Sequence, residues 1–158
     1  MSTLSPGALL RAPLEFAARV LGNDLNALPE EQALAHPGGT SRPAVAVVAE
    51  CAAVNGLIAT LLTTGEMRRP SPEEREAYYA KFTSREAATS ALRAETARLL
   101  SAIDALPEAR WGEPITGLIG QPSTLLETTG FAALHMMYHD GQINLLQAMH
   151  GDSEMHWG

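Results

Sequence analysis

Two histidines four residues apart, in His135-Met-Met-Tyr-His139, are the clearest chemical possibility in this chain. On a helix that spacing stacks both imidazoles on one face, where they reach a single metal ion. At 3.6 residues per turn they share a stripe with Phe131, Gln142, Leu146 and Met149, which predicts that they point toward a core. A buried neutral imidazole leaves a donor and an acceptor to satisfy, so a neighbouring element has to answer with a metal or a carboxylate. Glu50 is the inward-facing candidate. It lies in line with Val47, Val54, Leu57 and Leu61, on an apolar helix face where an unpaired carboxylate is costly.

Glu50, His135 and His139 admit two arrangements. As ligands they would hold one divalent ion through two nitrogens and an oxygen, a donor set that suits Zn, Ni, Mn or Fe(II) and leaves positions open for water or substrate. Without an ion they would form a buried charge-assisted hydrogen bond that keeps two helices in register. Zincin chemistry is excluded, because Met136 and not glutamate follows His135. Di-iron bundle chemistry is disfavoured by the absence of paired Glu-x-x-His motifs.

The elements that must position these groups read as helices, and no sustained alternation points to a strand. The first helix is expected from about Ser5 to Leu28, with Pro13 tolerable only near its start and a stripe of Leu10, Leu14, Ala17, Leu21, Leu25 and Leu28. A breaker-rich linker, Leu34 to Pro43, precedes a second helix that runs to Thr64 and stops at Gly65. The long connection from Gly65 to Thr83 contains Ser71-Pro-Glu-Glu, which can start one short helix. Thr83-Ser-Arg-Glu86 reads as a capping box for a third helix that ends before Pro107. After an irregular stretch to Pro122, Ser123 or Thr124 with Glu127 caps a fourth that ends at Gly151. The fold class is therefore all-α: a four-helix bundle with a long crossover connection, read as antiparallel.

Length and charge limit the function classes. The 158 residues suit a single domain, 1–158, with a core of ordinary size. A net charge of −7 with scattered acids argues against nucleic acid as a partner. No apolar run appears long enough to cross a membrane, and Met1-Ser-Thr-Leu-Ser-Pro lacks a leader pattern, so the chain is expected to be soluble and cytoplasmic. Cys51, the only cysteine, is read as a buried structural thiol. Gln142 is placed to orient a histidine or to pack on a neighbouring backbone, and Asp140 is expected at the surface. Asn55 and Tyr138 are expected to make interhelical hydrogen bonds, and His36, His150 and His156 to lie on the surface.

With these residues in view, the chain resembles the DinB-like family of four-helix bundles over nearly its whole length. The resemblance is carried by Leu134 to Ile143, by Gly151-Asp152 and Met155-His156-Trp157, and by Val47 to Asn55 before Leu57-Ile58. It implies a metal site of one histidine from the second helix and two, four apart, from the last. His135 and His139 match the pair, and Glu50 stands where the first histidine is expected. It also implies a homodimer built by packing helices of two bundles, and a place among thiol-dependent transferases and isomerases or hydrolase-like enzymes. A low-molecular-weight thiol is then the implied substrate class. The rival within the same family is a metal-free structural or stress-response binding module, with Glu50, His135 and His139 as a buried polar cluster.

Overall fold

Proline, glycine and hydroxyl caps delimit the helices in the computed structural model, which describes residues 4–158; the first three residues of the stretch read for a leader lie outside it. Ser5 accepts a hydrogen bond from the Ala8 amide and opens α1 (Pro6–Ala27). That helix runs through Pro13, whose ring sits on the solvent face, so the lost backbone bond is exposed to water. After a short helix α2 (Glu30–Leu34) and the breaker-rich linker, α3 (Ala44–Thr64) ends where Gly65 takes φ 78°, a left-handed cap suited to glycine. The crossover holds α4 (Pro72–Tyr79), opened by reciprocal bonds between Ser71 and Glu74. α5 (Arg85–Ala105) is capped by Ser84, which accepts from the Ala87 amide at 3.1 Å. The expected Thr83–Glu86 box does not form: the cap falls one residue on, at Ser84, and Ala87 at N3 has no side-chain acceptor to answer it. α6 (Leu125–Met149) opens on the Thr124–Glu127 box.

Two features are absent from the sequence reading. One is α2, a single turn in what reads as a connection. The other is a hairpin of β1 (Pro114–Thr116) and β2 (Pro122–Thr124), paired antiparallel with Ile115 opposite Ser123. Three-residue strands are too short to show an alternating pattern.

The all-α class holds, but the bundle is not antiparallel throughout. Gly7 of α1 faces Ile103 of α5 and Asn26 faces Thr89, so those helices run in opposite directions. Asn55 of α3 reaches Met136 of α6, and Glu50 reaches His139, again antiparallel. Leu10 lies against Gly130 and Asp24 against Asn144, which makes α1 and α6 parallel. It follows that α3 and α5 are parallel too, and the crossover through α4 exists to carry the chain back along the bundle between them.

The core is filled by Leu14, Leu21 and Leu25 from α1, Val48 and Ile58 from α3, Leu92 and Leu99 from α5, and Met136 and Ile143 from α6. Full burial of each such side chain is worth about 1.5–3 kcal/mol. Contrary to the reading of short apolar runs, α3 has the length and hydropathy to cross a bilayer; 67% of that window is instead buried in the bundle.

The buried face of α6 is Thr128, Thr129, Ala132, Met136, His139, Asp140, Ile143 and Gln147, not the expected stripe ending at Met149, which is 67% exposed. Asp140, expected in water, is buried beside Asp24 of α1. Asn144 Nδ2 donates to Asp24 Oδ2 at 2.9 Å and to Asp140 Oδ2 at 3.2 Å, and the Trp157 indole donates to Asp24 Oδ2 at 3.2 Å. Gln147 donates to the Asp24 carbonyl at 2.9 Å. Oδ1 of each carboxyl is buried with no other partner, which leaves the pair a place to share a proton. Burial, and then the Asp24 carboxyl beside it, push the Asp140 pKa up to about 7.

A carboxyl whose folded pKa is raised stabilises the fold below its unfolded value and loses that contribution as pH rises through the folded one. Unfolding free energy is therefore expected to fall between about pH 4 and 7, by at most about 1.4 kcal/mol per pH unit for one proton. In Asp140→Asn, whose amide donates to Asp24 without a titrating proton, urea midpoints across that range should lose most of this slope.

Candidate metal centre

Because α3 and α6 run antiparallel in contact, Glu50 and Cys51 of α3 come opposite His135 and His139 of α6. The Nε2 atoms of the two imidazoles converge to 3.1 Å, and Glu50 Oε2 lies 3.5 Å from His139 Nε2. All three residues picked out in the sequence thus meet at one place. Gln142, one turn along α6, holds His139 from behind through Nδ1 and its own Oε1 at 2.9 Å. A carbonyl oxygen accepts only, so Nδ1 carries the proton and Nε2 presents its lone pair to the site.

His135 is half-buried, with its ring stacked on Phe131 at 5.5 Å between centroids. Burial first, and then the neighbouring His139, lower its pKa to about 4, so the ring is neutral near pH 7 and free to bind a cation. Its Nδ1 is buried without a hydrogen-bond partner. Tyr138 presents an edge to His139 at 5.1 Å but is exposed to solvent, so the interhelical hydrogen bond expected of it gives way to an aromatic contact. Asn55 does bridge helices, donating to Thr96 Oγ1 at 3.0 Å.

Glu50 is at the rim of the bundle and not deep in its core: its side chain keeps 28% of its surface, and Arg42, from the linker before α3, forms an ion pair with Oε2. That pair lacks hydrogen-bond alignment, and Oε2 is otherwise buried without a partner. The next residue, turned 100° around α3, points inward. The Cys51 sulfur and one nitrogen of each imidazole lie within 4.8 Å of one another. Cys51 is buried as expected, but it belongs to the site, which the sequence reading missed. Once Glu50 is at the edge of the interface, its neighbour on the core side is the residue to suspect. Burial, and next the Glu50 charge, raise the thiol pKa, so the sulfur is protonated when no cation is near.

The donor set fits a divalent ion. Two imidazoles with converging Nε2 atoms, a carboxylate oxygen without an aligned donor and a thiol within reach are nitrogen, oxygen and sulfur ligands of the kinds borderline metals take. One turn before His135, a cleft of about 310 Å³ is lined by Leu118, Ile119, Ser123, Glu127 and Thr128 and shares Phe131 with the site. A small molecule can therefore sit beside the histidines.

The DinB superfamily model matches residues 14–143. The chain belongs to the DinB superfamily. Among solved structures, the DinB chain is similar to the mycothiol-dependent maleylpyruvate isomerase, with a TM-score of 0.69 and 19% identity over 90% of this chain. A mutant of that isomerase superposes equally well, with a TM-score of 0.70. This chain spans only 63% of the isomerase. A DinB-like protein from Bacillus subtilis has a TM-score of 0.66 at 14% identity, covering 93% of this chain and 94% of that one. At these identities the likeness is one of fold. No curated protein sequence matches the DinB chain.

The Gln142 contact generates a test that needs no metal. Gln142→Leu removes the acceptor from His139 Nδ1 and should cost about 1 kcal/mol of stability. Imidazole ¹⁵N spectra should show His139 as a single tautomer in the parent protein and as a mixture in the variant.

Proposed function

We propose that this DinB-like chain holds one divalent metal ion through His135, His139 and Glu50, and that the centre activates a small-molecule thiol for a transfer or hydrolase-like reaction. The observation that carries the reading is the convergence of the two Nε2 atoms at 3.1 Å with His139 fixed from behind by Gln142. Zn, Ni, Mn and Fe(II) all accept such donors. When bound, the ion supplies Lewis acidity that lowers the pKa of a thiol or water to near neutrality. His135 and His139 bring their ring nitrogens together, Glu50 brings negative charge to the rim, and Phe131 walls the cleft where a substrate would lie. The thiol class draws support from the likeness to an isomerase described as mycothiol-dependent. A cytoplasmic location accords with a single cysteine kept as a thiol.

One observation favours a second reading: Arg42 already pairs with Glu50. In that case Arg42, Glu50, His139 and His135 form a polar chain that joins the linker, α3 and α6, and the protein is a metal-free binding or stress-response module.

We further propose that the molecule works as a homodimer through the outer face of α6. Leu134, Tyr138, Leu145 and Met149 are each more than 60% exposed there, and between Thr128 and Met149 no charged side chain reaches solvent. For a chain of net charge −7, this is the face on which two copies repel least.

Elemental mass spectrometry of protein purified without tag or chelator separates the two readings of the site. About one equivalent of metal is expected, and its loss in His135→Ala/His139→Ala with the fold kept. No metal after incubation with Zn, Ni, Mn and Fe(II) would overturn the catalytic reading. In Gln142→Leu, metal affinity should fall about 10–100-fold. Sedimentation equilibrium should give a dimer for the parent and a monomer for Leu145→Glu; identical masses would remove α6 as the interface.

A further inference from the structure

Charge at the rim leads beyond the three-ligand site. The Arg42 guanidinium cancels the charge of Glu50, and imidazoles, which coordinate a metal as neutral ligands, add none, so a dication held by His135, His139 and Glu50 would meet no net negative charge. Placing a doubly charged ion in a partly buried site on those terms is unfavourable. Asp140 does not help, since its carboxyl is turned to Asp24. The remaining source of negative charge within reach is the sulfur of Cys51, completely buried on the core side of the site.

We infer that Cys51 is a ligand of the same centre, making a two-histidine, one-carboxylate, one-thiolate donor set. The inference rests on the metal reading proposed above. Its geometry is close to what coordination requires: bond lengths of about 2.3 Å to sulfur and about 2.0 Å to nitrogen separate tetrahedral donors by about 3.5 Å. The imidazole nitrogens are already at 3.1 Å, and the sulfur, within 4.8 Å of a nitrogen on each ring, has little more than an ångström to close. Coordination replaces the S–H bond by a sulfur–metal bond, and the proton leaves to solvent. A thiolate turns the site toward Zn, Co(II) and Fe(II) and away from Mn, which prefers oxygen.

Cobalt(II) reports on both the ion and the sulfur. Protein titrated with Co(II) should develop visible ligand-field bands together with a near-ultraviolet sulfur-to-cobalt charge-transfer band. Cys51→Ser, confirmed as folded by circular dichroism, should keep the first and lose the second, and its preference for Zn over Mn should drop at least about ten-fold. Ligand-field bands without charge transfer in the parent protein would overturn the inference and leave the metal site standing. Absence of any cobalt spectrum would remove both. Independently of the variant, the Zn-loaded parent should show a sulfur shell at about 2.3 Å in X-ray absorption; a shell of nitrogen and oxygen alone overturns the role of Cys51.

Discussion

His139 and Asp140 are adjacent on α6, 100° apart around it, and both are buried. One faces α3, where it meets Glu50 beside His135 of its own helix; the other faces α1, where it meets Asp24. A rotation of α6 in either direction would strand one of them, and an unpaired buried polar group costs on the order of 1–3 kcal/mol. This pair of constraints fixes the phase of the last helix more firmly than its apolar residues can. Leu126, Leu134, Leu145 and Met149 are exposed, so apolar character extends around much of α6 and gives many rotations similar burial. The position of the candidate ligand atoms thus depends on polar groups on both sides of the helix.

The same circumstance decides what could be read from the chain. His135, His139 and Glu50 are legible because two histidines four apart and one acid in an apolar helix are local patterns, and the structure brings them together. The stripe through Met149 and the solvent placement of Asp140 fail because a helix apolar nearly all round carries little phase information. Asp24 lies in the last turn of α1, 116 residues before its partner, and nothing local announces the pairing. Cys51 was hidden for a related reason: a cysteine among alanines and valines looks like core, and only the position of Glu50 at the rim shows that its neighbour, 100° around α3, looks into the site.

Helix ends were the most legible part of the fold because their chemistry is short-range. Ser5, Gly65, Ser71 and Thr124 act where their side chains or φ preferences predict. Helix direction was not legible. Short loops favour antiparallel neighbours, but the Gly65 to Ser84 connection is long enough to reverse that preference, and only Leu10 against Gly130 and Asp24 against Asn144 reveal that α1 and α6 run together. The parallel pairing matters to the site. It leaves α3 and α6 as antiparallel neighbours, so a residue at the seventh position of one meets the fifteenth of the other across a single shared level.

At that level, a carboxylate at position 50, where the family resemblance implies a histidine, changes more than one ligand atom. A neutral imidazole on α3 would need no counter-charge, whereas a carboxylate at the rim attracts Arg42 from the linker. The linker is thereby tied to the site, and the charge that the carboxylate brings is spent on the guanidinium instead of an ion. A dication entering such a site has to displace Arg42 or find negative charge elsewhere, and the buried thiol one residue along is placed to provide it. The departure from the three-histidine pattern and the presence of cysteine at the next position are, on this argument, two halves of one electrostatic balance.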